Sequence, residues 1–153
     1  MSLILRTCLL AAAAVPAFAL AMEELDGAWK VNVEATWTEL LKDPEYAAMP
    51  KGQQDQMKPM VCGSLARTSL AIKGGVSTAT NPDGSTTDAG TLTGWISTGP
   101  TSATATSTDK QGKTSEALIE KPDARSLRMT ITKYGRKMTM VLTARPAAPA
   151  PAK

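Results

Sequence analysis

The sequence predicts a mainly β domain, an antiparallel meander, sandwich or barrel, and two observations carry that expectation. From Ser64 onward, short segments rich in Thr, Ser and β-branched residues alternate with turn chemistry at short intervals. The turns are Gly74-Gly75, Asn81-Pro82-Asp83-Gly84, Gly99-Pro100, Asp109-Lys110-Gln111-Gly112, Lys121-Pro122-Asp123 and Tyr134-Gly135-Arg136. The last two segments also alternate with period two. Leu127, Met129 and Ile131 oppose Arg128, Thr130 and Thr132, while Met138, Met140 and Leu142 oppose Thr139, Val141 and Thr143. A hairpin with one apolar and one Thr-rich face needs a cover on its apolar side.

In chain order, residues 1–21 read as a secretory leader: Arg6 is their only charge, and a small, apolar run leads to Ala19-Leu20-Ala21. That pattern places cleavage after Ala21, with cutting after Ala19 as the alternative, and the destination is the periplasm or the exterior. The run is shorter than a membrane span and is broken by Pro16, so the processed chain is expected not to span a membrane. Next, Val33, Trp37, Leu40 and Leu41 form one stripe of a helix over 33–42, with Asn32 suited to its N-cap and Asp43-Pro44 ending it. A weaker helical stretch from 45 to 58 is interrupted by Pro50 and Gly52. Strands are expected over 65–73, 76–81, 85–97 with a bend at Ala89-Gly90, 101–108, 113–120, 126–133 and 137–145. Residues 146–153, with nothing larger than Pro and Ala before the last Lys, are expected to be a disordered, polyproline-like tail.

Composition narrows the function classes. The 153-residue chain has a net charge of +3 and no histidine, which excludes Ser-His-Asp or Cys-His catalysis and imidazole metal sites. Loss of the leader removes one base and one of the two cysteines, and the remaining net charge is too small to argue for nucleic acid. The charge is polarised, with acids concentrated in 22–58 and bases in 110–153. Cys62 is then the single thiol: buried, a soft ligand, or a link between two chains in a dimer. The carboxylates read as solvated surface charge, so the expectation is a non-enzymatic protein without cofactor.

A further set of residues carries a resemblance. Gly27-Ala28-Trp29 opens a short first strand, an antiparallel meander follows, and Arg145 closes the final strand. Together with Leu40-Leu41-Lys42-Asp43-Pro44-Glu45 after that strand, this resembles the small bacterial lipocalin-like domains of calycin type. The resemblance implies an up-and-down β-barrel of about eight strands over 22–145, with a helical insert at about 33–60. It also implies a structural role for Gly27, Trp29 and Arg145, in which the indole seals one barrel end and the guanidinium stacks over it.

Two constellations could bind something. Leu70, Ile72, Trp95, Leu127, Met129, Ile131, Met138, Met140 and Leu142, with Leu92 and Ile96 as alternates beside Trp95, would line the interior. There the flexible Met side chains suit a small hydrophobic ligand, although an eight-stranded barrel is only just wide enough for its own side chains. Met57, Met60 and Cys62 offer sulfur donors of the kind that suits Cu(I). The expectation is an exported carrier or sensor of a small apolar molecule. The alternatives are an envelope interaction protein with a filled barrel and a basic face from Lys110 to Lys137, or a Cu(I)-binding periplasmic protein.

Overall fold

The computed structural model describes residues 19–146; most of the expected leader and residues 147–153 of the expected tail lie outside the described residues. Eight antiparallel strands close into a barrel in which each strand pairs with its neighbours in sequence and the last pairs with the first. They are β1 (Gly27–Val31), β2 (Ser69–Lys73), β3 (Val76–Thr80), β4 (Thr86–Ser97), β5 (Ser102–Thr108), β6 (Thr114–Asp123), β7 (Ser126–Lys133) and β8 (Arg136–Ala144). The expected barrel is observed, with three helices inserted after its first strand: α1 (Val33–Leu40), α2 (Pro44–Ala47) and α3 (Lys51–Leu65). A 3₁₀ turn, Met22–Leu25, precedes β1.

Tight turns enforce this topology. Tyr134 and Gly135 both take positive φ, at 53° and 73°, the geometry of the two-residue hairpin turn whose twist matches the strands it joins. The expected bend in β4 is a bulge at Gly90, where the register against β3 shifts. Its φ is +129°, and a Cβ there would lie 2.7 Å from the Thr108 carbonyl oxygen, so only glycine lets β4 fold over β5 at this point.

Four expectations shift at their edges. Helix α1 stops at Leu40, two residues short of the expected end at 42. The weaker helical stretch splits into α2 and α3 because Pro50 stands at the N-cap of α3, where its missing N–H is harmless. Helix α3 then runs through Leu65, so β2 starts at Ser69 rather than at 65. Lys121-Pro122-Asp123 is not a turn: β6 continues through a bulge that accommodates Pro122, and the reversal falls at Ala124-Arg125.

The pairing register sorts side chains into inward and outward sets. Leu127 faces Leu142, Met129 faces Met140 and Ile131 faces Met138 across β7 and β8, all on the inner side. The outer side carries Thr104, Thr106, Glu116, Glu120, Arg128 and Thr130. A membrane-spanning barrel turns an apolar band outward; here the outer face along those strands is mainly polar, with Ile96 and Leu118 as its exposed apolar side chains. No helix among the described residues is long and apolar enough to cross a membrane.

The two barrel ends differ. At the N-terminal end, where β1 begins, Leu20, Leu25, Trp29, Ile119, Leu127 and Leu142 are buried in one cluster. The helices cover the opposite end, and the interior there is not filled.

Candidate functional site: a half-hollow barrel beneath a helical cap

Hollowness follows from side-chain size. Along β3 to β6 the inward positions at the helical end are small: Ser77, Gly90, Ser107 and Ser115. The long side chains Met129, Ile131 and Met140 come from β7 and β8, and together these walls leave a cavity of about 350 Å³. That is within the range of small-molecule pockets, toward its lower end. Helices supply the roof, through Thr36 and Leu40 of α1 and Val61, Cys62 and Leu65 of α3.

The roof is tied down at specific points. Strand β1 ends at Val31 and leaves the upper part of β8 without a neighbour, so Val141 pairs instead with the start of α1. Its carbonyl oxygen accepts from the Asn32 amide at 2.8 Å and the Thr36 hydroxyl at 3.3 Å, and its amide donates to the Thr36 oxygen at 3.0 Å. Buried Thr36 thus replaces a missing strand partner, which satisfies backbone groups that would otherwise be desolvated without a partner. Glu39 accepts from Arg128 on the barrel wall at 2.6 Å and from Lys42 at 2.7 Å. Helix α3 is held more lightly, by Lys58 on Glu34 at 2.7 Å, and α2 by Arg136 on Glu45 at 2.7 Å.

Charged groups frame the mouth. Lys133 pairs with Asp109 at 3.0 Å, and both line the cavity together with Lys113. The Lys133 ammonium holds the Asp109 carboxyl below the usual carboxylate range, helped by the Lys113 and Gln111 amides, and Asp109 in turn raises Lys133. The Lys113 ammonium donates to the Tyr134 hydroxyl at 3.2 Å, and Lys133 stands 5.7 Å from the centre of that ring. The site is therefore apolar in its body, with two ammonium groups and one carboxylate at its entrance.

Of the nine residues expected to line the interior, Leu70, Ile72, Met129, Ile131, Met138 and Met140 line the cavity, and so does Leu92. Met138 lies at the rim, 64 % exposed. Leu127 and Leu142 point inward but belong to the packed end. Trp95 is a correction. It lies near the end of β4, half-buried against the packed cluster, and its indole N–H donates to the Leu20 carbonyl oxygen at 2.9 Å, away from the cavity. Ile96, the alternate beside it, points outward and is 64 % exposed.

The implied stacking of Arg145 over Trp29 is also corrected. Trp29 is 3 % exposed and packs in the cluster at the N-terminal end, where its indole N–H donates to the Leu25 carbonyl oxygen at 2.8 Å. Arg145 is exposed and lines an outer groove with Lys30 and Arg67, and its amide, not its guanidinium, ties it to β1 through the Ala28 carbonyl oxygen at 2.8 Å. Gly27, at φ +148°, opens β1 beneath the indole.

The sulfur set is not assembled. Cys62 is buried and faces the cavity, whereas Met60 is 80 % exposed on the other side of α3. Two residues apart on a helix are about 200° apart around it, so Met60 and Cys62 cannot share one ion from these positions. Burial pushes the Cys62 thiol above its usual value, against the opposing influence of Lys58.

The chain matches no protein-family model, no curated protein and no solved structure. What the site does is therefore argued from its own side chains. The contributions of Thr36, Val61, Cys62 and Leu65 to the roof were not legible as cavity positions. Helix α3 has no strong apolar stripe, and which of its residues faces the barrel is decided by how it docks.

Proposed function

We propose that this protein is an exported, non-enzymatic binding protein whose barrel carries or senses a small hydrophobic molecule. The observation that carries the reading is the apolar cavity beneath the helical cap. Met129, Met138 and Met140 give its wall three flexible, polarisable side chains that adapt to a guest, and burial of an apolar guest there contributes about 25 cal/mol per Å² removed from water. The filled N-terminal half supplies a rigid floor, so a ligand enters past the cap and the Lys113 and Lys133 mouth. Periplasmic or extracellular residence rests on the leader-like residues 1–21.

A titration tests this. An environment-sensitive apolar dye should bind the purified protein saturably at one site and be displaced stoichiometrically by medium-chain fatty acids. Ser115→Leu, which adds bulk to the cavity wall, should weaken dye binding at least tenfold while leaving the thermal midpoint unchanged. Absence of saturable binding, or wild-type dye affinity in Ser115→Leu, would overturn the assignment.

A further inference from the structure

We infer that the leader is cut between Ala19 and Leu20, and that Leu20, as the first residue of the mature chain, is the plug of the barrel's closed end. The inference rests on the proposal that the protein is exported.

Leu20 is 2 % exposed and belongs to the buried cluster with Leu25, Trp29 and Leu127. Both of its backbone polar groups are used. Its amide donates to the Gly99 carbonyl oxygen at 3.1 Å, in the β4–β5 turn, and its carbonyl oxygen accepts from the Trp95 indole at 2.9 Å. The residues on either side, Ala19 and Ala21, are exposed. Ala21 contributes its amide, which donates to the Glu24 carboxylate at 3.0 Å and so fixes the turn that follows.

Two overlapping small-x-small patterns are present, Ala17-Phe18-Ala19 and Ala19-Leu20-Ala21. A cut after Ala21 would delete Leu20, leave a leucine-sized hole at the closed end, and strand the Trp95 indole N–H, while the Gly99 carbonyl oxygen would keep only its bond from the Ser97 hydroxyl at 2.9 Å. A cut after Ala19 keeps every one of those contacts. It converts the Leu20 amide into an ammonium group that still donates to Gly99, now as a charge-assisted bond. The two cuts thus give products of unequal stability, and only the earlier one keeps the end of the barrel plugged.

Full-length protein expressed in a bacterial host with a general secretory pathway tests this by intact-mass measurement on the exported fraction. The expected mature chain begins at Leu20. Ala17→Leu, which spoils only the earlier pattern, should block that cut, whereas Ala21→Leu, which spoils only the later one, should leave processing unchanged. A mature chain beginning at Met22, or loss of processing in Ala21→Leu, would overturn the site. Full-length uncut protein retained inside the cell would instead overturn the export reading itself. As a readout independent of processing, Leu20→Ala in the exported protein should lower the thermal midpoint by roughly 10 °C or more. An unchanged midpoint would remove the plug.

Discussion

Replacing Trp29 by alanine probes the closed end of the barrel most directly. The indole is buried in the cluster formed with Leu20, Leu25 and Leu127, and its N–H satisfies the Leu25 carbonyl oxygen at 2.8 Å. Truncating a buried Trp to Ala costs about 3–5 kcal/mol through lost transfer energy and the cavity left behind. The abandoned Leu25 carbonyl adds about 1 kcal/mol. For a domain of this size, each kcal/mol moves the midpoint by about 3–5 °C, so a fall of roughly 15 °C is expected. Trp29→Phe keeps most of the apolar volume and should show chiefly the hydrogen-bond component, about 1 kcal/mol. Arg145→Ala should change stability by less than about 0.5 kcal/mol, because its guanidinium is exposed and its link to β1 is made by the backbone. Urea unfolding followed by circular dichroism, run as a double-mutant cycle on Trp29 and Arg145, then measures their coupling, expected below about 0.5 kcal/mol. A coupling of about 1 kcal/mol or more would mean that the guanidinium does stack on the indole, and an unchanged midpoint in Trp29→Ala would refute the closed end altogether.

Two further perturbations are informative. Asp109 is held below its usual range chiefly by Lys133, and Asp83 and Asp123 are lowered by hydrogen bonds within their turns, led by the Ser85 hydroxyl and the Arg125 amide. A depressed carboxyl contributes stability that is present above its unfolded value near 4 and lost as pH falls through its folded value. Lys133, raised chiefly by Asp109, contributes stability that is present below its unfolded value and lost as pH rises through its raised one. Stability should therefore be level from about pH 5 to 8 and fall on the acid side, and Asp109→Asn should flatten part of that acid limb; an acid limb unaltered by the substitution would count against the pair. The Cys62 thiol, buried and raised by desolvation, should react with an aromatic disulfide reagent at least tenfold more slowly in the native state than in urea, and the protein should run as a monomer on a non-reducing gel. Fast native labelling would mean that α3 opens readily from the barrel.

Much of the fold was legible locally. The turns at Gly74-Gly75, Asn81 to Gly84 and Tyr134-Gly135 specify reversals through backbone preferences that operate over four residues. The alternation in 126–133 and 137–143 specifies which side chains share a face. The turn at Lys121 to Asp123 was misread because Pro122 is acceptable in a strand when a bulge removes its need for a donor, and a bulge is a property of the partner strand. Cavity residues on the strands were readable from the same alternation. Their division into floor and wall was not, because Leu127 and Met129 have the same local pattern and differ only in what lies across the barrel.

The amino-acid sequence by itself determined an antiparallel β domain with helical segments ahead of it and a chain without imidazole chemistry. These follow from periodicity, turn residues and composition, which act over a few neighbouring positions. Tertiary structure alone decided that the barrel is packed at one end and hollow at the other, that Trp95 and Arg145 stand apart from the roles their positions suggested, and that Leu20 belongs to the folded core. Each depends on distances across a closed sheet, where small side chains on β3 to β6 meet large ones on β7 and β8, and where a leucine from an apparent leader finds an indole 75 residues away.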